Sequence, residues 1–281
     1  MKNLVWLASY PKSGSTWTRA FLACYASNAC GPIPLKQINN ISRSESRFEL
    51  FCSLSEKTRD QLTVLEIDSL REKVQAHLAS TIRPPTIFKT HNARVQRNAF
   101  PLIRAEYTKQ AVYVVRNPFD IIDSLADHAN ISLDQSITLL NNRGHCIGGP
   151  TSELVPQYLD SWTNHVESWL SAKAFPIHIV KYEDLKATPM DAFGRLIRFL
   201  GWDFDVERLE RAIQWSDIRV LRQAEISEGF DERSPVAKSQ AFFRHGEVGR
   251  WRLLLNDAQI SSVRNNHGEM MQKLGYGIEE V

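Results

Sequence analysis

The chain has 281 residues, 43% of them hydrophobic, and a formal net charge of +2. So weak a charge bias gives no support to a nucleic-acid surface, where a strong basic bias is expected. The hydrophobic share supplies a full buried core, and the lack of low-complexity stretches or internal repeats points to one domain over residues 1–281.

In chain order, LVWLAS (4–9) is a short run of bulky apolar residues that predicts a buried strand. Its apolar part, Leu4 to Ala8, is too short for a signal peptide. No later segment approaches the length of a membrane span, so a cytoplasmic chain with no membrane span is expected. PKSGST then reads as a turn, and from Thr16 the pattern TWTRAFLACYAS predicts a helix. Residues 56–79 predict another, with Leu62, Leu65, Leu70, Val74 and Leu78 roughly at helical spacing. TIFKTH (86–91) is a second strand. AVYVVRN (111–117), β-branched and aromatic, is a third, and Pro118 opens the helix FDIIDSLADHA at its first turn.

Residues 130–152 read as a helical excursion closed by a loop at Gly148-Gly149-Pro150, and 159–172 as an amphipathic helix. FPIHIVKYEDL (175–185) is a fourth strand. Pro189 starts a helix with Met190, Phe193, Leu196, Ile197 and Leu200 on one stripe and Gly201 placed to end it. Two shorter helices are expected in 205–228, a long polar loop in 229–250 and a last helix near 256–274. Strands alternating with helices predict an α/β fold with a mostly parallel central sheet flanked by helices. Ligands of such sheets bind beyond the carboxyl ends of the strands. Three of those ends carry chemistry: Lys12, then Lys89 with His91, then Arg116.

SYPKSGSTW (9–17) joins the first strand to the first helix. A turn of small residues exposes backbone N–H groups, and the helix N-terminus behind it adds a positive dipole end. Lys12 adds a full charge, and Ser13, Ser15 and Thr16 add hydroxyls, so the turn suits a phosphate-like anion. It is not a Walker A loop, because its lysine precedes the single glycine and G-x-x-x-x-G-K-[ST] occurs nowhere in the chain. The strand AVYVVRN also ends in Arg116, where a P-loop enzyme would place a carboxylate for Mg²⁺. Lysine and arginine in place of a metal suit transfer of a group less charged than phosphoryl, such as a sulfuryl. No metal is expected: the sequence holds no H-E-x-x-H, paired Cys/His set or EF-hand loop. Cys24, Cys30, Cys52 and Cys146 form no C-x-x-C pair and read as free thiols.

PKSGSTW, FKTH, VVRNPFDIIDS, YEDL and FRHGEVGRW, in this order from residue 9 to residue 251, resemble the sulfotransferases that use 3′-phosphoadenosine 5′-phosphosulfate (PAPS). The resemblance implies a P-loop-kinase-like fold with a modified turn for the phosphosulfate, PAPS as donor and PAP as product. It implies that Lys12, with Ser13, Gly14, Ser15 and Thr16, holds the 5′-phosphosulfate, and that Trp17 stacks on adenine. Arg116 and Ser124 match the residues that clamp the 3′-phosphate, and Arg244, His245 and Gly246 fall where a loop closes over it. The family usually has lysine at the position of His245. Tyr182, Ser216, Ile218 and Leu221 match adenine-flanking positions, with Ile218 replacing a usual aromatic. His91 matches the base that takes the acceptor proton, a task suited to a neutral imidazole. Lys89, two residues earlier on the strand, would point to the same face, and Lys12, Lys89, His91 and Ser124 form the implied catalytic set.

The resemblance implies as acceptor a hydroxyl or phenol of a small molecule, a glycan or another natural product. The segments 31–55, 92–110 and 130–155 fall outside the motifs and are expected to gate it. Within them Phe48, Phe51, Phe100, Ile131 and Leu133 hint at an apolar pocket, while Arg43, Arg47, Arg94 and Arg97 would favour an acidic acceptor if they face it. Some relatives form homodimers, but RLLLNDAQI (252–260) carries no clear form of their dimer motif. Two alternatives stay open on the residues alone: an ATP-dependent small-molecule kinase, and a non-catalytic nucleotide-binding relative.

Overall fold

The computed structural model describes residues 2–277. The opening apolar run is strand β1 (Leu4–Ser9), and it leads through the PKSGS turn into α1 (Ser15–Ser27). A short helix α2 (Ile38–Ile41), strand β2 (Ser42–Ser44) and helices α3 (Phe48–Ser55) and α4 (Val64–Thr81) follow. Next come β3 (Ile87–Thr90), the two-residue strands β4 (Gln96–Arg97) and β5 (Phe100–Pro101), and β6 (Thr108–Val115). Helices α5 (Pro118–Ala129) and α6 (Leu133–Asn141) precede β7 (Cys146–Ile147), β8 (Gln157–Tyr158), α7 (Trp162–Leu170) and β9 (Ile177–Lys181). The remaining helices are α8 (Tyr182–Ala187), α9 (Pro189–Leu200), α10 (Val206–Trp215), α11 (Ile218–Glu228) and, after a long irregular stretch, α12 (Asp257–Lys273).

Five strands form one mostly parallel sheet in the order β2-β3-β1-β6-β9, and β4/β5 and β7/β8 are small antiparallel pairs. β1 and β3 run parallel with Trp6 opposite Phe88, Leu7 opposite Lys89 and Ala8 opposite Thr90. Neighbours so far apart in sequence require crossover helices, which is why the apolar runs alternate with amphipathic ones.

The chain divides into two units. The first holds Met1–Tyr10, Arg43–Tyr113 and Asn142–His178. Its core is built on Trp6, Phe51, Ile67, Val74, Trp162, Val166 and Trp169, all buried. The Trp6 indole N–H donates to Thr108 Oγ1 at 2.9 Å, satisfying the one polar atom of that side chain. The second unit holds Pro11–Ser42, Val114–Asn141 and Ile179–Val281. There α1 packs on α9 and α10, with the Phe21 and Phe193 rings stacked 3.8 Å apart, and α5, α6 and α12 pack together. α5 begins as expected: Asn117 Oδ1 accepts from Phe119 N at 3.0 Å and Pro118 fills the first helical position. α9 runs from Pro189 to a left-handed Gly201 (φ 72°).

Several expectations need correction. The helix expected from residue 56 begins at Val64, because Thr63 caps it and Glu66 closes a capping box. The strand expected through residue 185 ends at Lys181, and YEDL is the first turn of α8. α3 lies inside a segment expected to gate an acceptor, and its Phe48 and Phe51 are buried core. His91 lies one residue past the end of β3. The four cysteines are free, Cys24 buried and Cys30 and Cys146 exposed. Among the described residues no helix is long and apolar enough to cross a membrane, and no cluster of three His, Cys, Asp or Glu could hold a metal ion.

Candidate functional site

The second unit gathers the whole set of residues expected to hold the donor. The turn that enters α1 is shaped by two left-handed residues, Lys12 (φ 68°) and Gly14 (φ 101°). Positive φ at a lysine is rare and strained, a cost tolerated where a backbone must present its N–H groups. Gly14 has a second reason to be glycine: a Cβ there would lie 2.5 Å from Tyr182 Cδ2. The Lys12 ammonium sits 4.3 Å from the centre of the Phe242 ring. Ser13 is fully buried, and its Oγ makes no hydrogen bond.

Arg116, at the end of β6, lays its guanidinium 4.2 Å over the Tyr182 ring. It donates through one terminal nitrogen to Glu247 O at 2.8 Å and through the other to Lys12 O at 3.5 Å. Its Nε is buried with no hydrogen-bond partner. Burial pushes the Tyr182 phenol up, so it stays a neutral donor beside the arginine. Trp17 donates its indole N–H to Ser216 O at 2.8 Å and meets Tyr182 edge-on at 5.4 Å. Ile218 and Trp17 pack against a cluster that contains buried Leu221, which is therefore core beneath them. The Ser216 hydroxyl turns back onto Ala212 O at 2.7 Å, so this residue meets Trp17 through its backbone. Gly246 is left-handed (φ 61°), and a Cβ there would lie 2.6 Å from Ile218 Cδ1.

Buried polar atoms normally find partners. An unused hydroxyl on Ser13 and an unused guanidinium N–H on Arg116, beside a strained lysine and a helix N-terminus, fit the chemistry of a phosphate-bearing ligand. Tyr182, Trp17 and Ile218 beside them fit the apolar faces of a purine.

The loop after α11 supplies the remaining residues. Arg244 pairs with Asp123 at 3.1 Å and Asp127 at 3.5 Å, both on α5, the helix that also carries Ser124. His245 is exposed. Glu232 in the same loop accepts from Thr16 Oγ1 at 3.2 Å and pairs with buried Arg19. Glu225 accepts from the Phe242 and Phe243 N–H groups at 2.6 and 3.0 Å.

The first unit holds Lys89 and His91. Lys89 is half-buried in β3. Continuing the β1/β3 register by one step brings residue 91 opposite Ser9, and His91 Nδ1 lies 2.7 Å from Ser9 O. Neighbours that no motif announces surround it. The His91 N–H donates to Gln157 Oε1 at 3.1 Å, and His165 Nε2 lies 3.0 Å from His91 O. Glu45, fully buried, accepts from Thr90 Oγ1 at 2.8 Å and Asn92 Nδ2 at 2.9 Å. No local pattern singles these residues out: Glu45 lies between two serines in a polar run, and His165 falls on the buried stripe of an amphipathic helix. Arg94 and Arg97 serve structure, the first donating to Ser168 O at 2.8 Å and the second stacked 3.6 Å over the Tyr158 ring.

Comparison with known proteins shows the family and the fold. The sulfotransferase domain model matches residues 2–275. Cytosolic sulfotransferase 8 of Arabidopsis thaliana is 25% identical over 284 residues, covering 96% of this chain and 77% of the relative. In fold the chain is similar to mouse sulfotransferase SULT7A1 complexed with PAP, at 18% identity and a TM-score of 0.60, covering 99% of this chain and 88% of that one. It is also similar to retinol dehydratase in complex with androsterone and inactive cofactor PAP, at 17% identity and a TM-score of 0.64, covering 96% and 81%. With a family model matched from residue 2 to residue 275, the chain belongs to the sulfotransferase family.

Proposed function

We propose that this chain moves a sulfuryl group from PAPS to a hydroxyl or phenol of a small-molecule acceptor in the cytoplasm. The observation that carries the reading is the Lys12–Gly14 turn, with its two left-handed residues, its buried Ser13 hydroxyl and Arg116 beside it. Membership of the family favours sulfuryl transfer over the kinase and scaffold alternatives.

Bound PAPS supplies an activated sulfuryl on a phosphate that is a good leaving group. Lys12, with the Ser13–Thr16 N–H and hydroxyl groups, binds the phosphosulfate and neutralises the charge that grows as the S–O bond breaks. Arg116 and Ser124 hold the 3′-phosphate, with Arg244, His245 and Gly246 closing from the loop. Trp17, Tyr182 and Ile218 orient the base. His91 takes the proton from the acceptor hydroxyl at Nε2, and Lys89 supports the charge on the transferring group. The ring is prepared for this: a carbonyl oxygen can only accept, so the contact to Ser9 O holds the proton on Nδ1 and leaves Nε2 as the basic nitrogen.

Sulfate transfer from PAPS to a simple phenol tests the reading in the wild type and in His91→Ala. The wild type is expected to transfer, and His91→Ala to lose about 10²- to 10⁴-fold in kcat, the usual worth of a positioned base. PAP is expected to raise the Tm of both proteins, since it binds the folded state alone. Equal rates in the two proteins remove His91 as base. Stabilisation by ATP-Mg²⁺ but not by PAP overturns the donor assignment.

A further inference from the structure

We infer that His165, Gln157 and Glu45 are positioning residues that seat the imidazole of His91 in a single tautomer and orientation. This deepens the reading just given and rests on His91 being the base. The three come from segments that no motif covers: Glu45 follows β2, Gln157 opens β8 and His165 lies in α7.

The backbone of residues 90–92 is gripped from several sides. The His91 N–H is held by Gln157 Oε1 at 3.1 Å. The His91 carbonyl can only accept, so His165 Nε2 at 3.0 Å must carry a proton and donate it. A neutral His165 then has a lone pair on Nδ1, and the Tyr113 hydroxyl stands 2.8 Å away to donate to it. Burial holds His165 well below the usual histidine range, at about 4, which keeps that tautomer neutral. Tyr113 and His165 are both fully buried, so neither hydrogen bond competes with water.

The two flanking residues are tied to one carboxylate. Glu45 takes Thr90 Oγ1 and Asn92 Nδ2 on the same oxygen, at 2.8 and 2.9 Å, while its other oxygen accepts from Ser46. Asn92 is fixed further, its Oδ1 accepting from Tyr158 N at 2.9 Å and its carbonyl from the Trp169 indole at 3.0 Å. His91 follows β3 outside the sheet ladder, where a backbone would otherwise be free to swing. With these bonds in place the ring meets Ser9 O in one way, through Nδ1–H.

The outcome is read first in the wild type by long-range ¹H–¹⁵N correlation on histidine-labelled protein above pH 7. His91, assigned by its loss in His91→Ala, is expected as the Nδ1–H tautomer. A dominant Nε2–H tautomer overturns the inference without any variant having to fold, and without reference to activity. Next, His165→Leu is expected to lower kcat about ten- to hundredfold, the effect of a misplaced catalytic group, with KM for PAPS changed less than about twofold. It should also mix the His91 tautomers. His165→Gln, which keeps a donor toward His91 O, is expected to restore most of both. Leu and Gln variants with wild-type kcat and an unchanged His91 spectrum refute the seat. Absence of any sulfuryl transfer by the wild type refutes the proposed function instead, while the tautomer result stands.

Discussion

At the scale of single residues, the turn from Lys12 to Thr16, proposed to hold the donor, depends on backbone conformations that only certain side chains tolerate. Gly14 combines a φ of 101° with so close an approach that a Cβ added to it would lie 2.5 Å from the Tyr182 ring. Gly14→Ala therefore meets two penalties: about 1 kcal/mol for the left-handed backbone, and displacement of the aromatic ring that carries Arg116. Its expected outcome is a PAP affinity weaker by about tenfold or more in calorimetry, with the fold kept by circular dichroism. Lys12→Met keeps an unbranched stem and removes the charge that sits over the Phe242 ring, so it should lower kcat far more than it lowers Tm. The turn between β1 and α1 is legible in the sequence because a lysine, a glycine and small hydroxyl residues follow directly on an apolar run. Glu45, Gln157 and His165 are not, because what sets them apart is their partners, and those come from distant segments.

At the scale of elements, α5 works as a rail. Asp120, Asp123 and Asp127 recur at intervals of three and four, which puts them on one face of the helix. Asp120 accepts from Gly249 N at 2.8 Å, Asp123 pairs with Arg244, and Asp127 takes Arg244 and both the N–H and hydroxyl of Ser239. The polar stretch 229–250, which reads in sequence as a plain loop, is thus fastened along its second half. Asp127→Ala removes three of those contacts and is expected to destabilise the protein by about 1–3 kcal/mol. Trypsin should then cut the loop at Lys238 several-fold faster than in the wild type, and an unchanged cleavage rate would show the rail to be idle. Helix starts are readable where proline or an asparagine cap announces them, as at Pro118 and Pro189. The start of α4 escapes a reading by spacing because leucines at 62 and 65 continue the helical period across Thr63, and spacing alone does not reveal which hydroxyl caps the chain.

At the scale of the whole molecule, stability should fall on acidification earlier than carboxylate titration alone requires. His165 and His267 are buried, and desolvation holds each at about 4 in the folded state, below the usual 6.5. The unfolded chain therefore binds more protons between pH 6.5 and pH 4, so stability is fully present above 6.5 and lost as the pH falls toward 4. Each histidine costs about 2 kcal/mol at pH 5 by this linkage. The titratable groups facing His165 are Tyr10, Tyr113, His91 and Asp160. Burial pushes both phenols up, away from that window. The drop in Tm from pH 7 to pH 5 should shrink in His267→Leu, and an identical drop would exclude this histidine as a source. The sequence by itself determined the layered α/β class and the family, because these rest on periodicity and on motifs whose residues lie near one another along the chain. The tertiary structure alone decided which polar residues are buried, which groups surround His91 and which carboxylates hold the loop. Those follow from hydrogen bonds between distant segments, such as Thr16 with Glu232, 216 residues apart, and no local pattern encodes them.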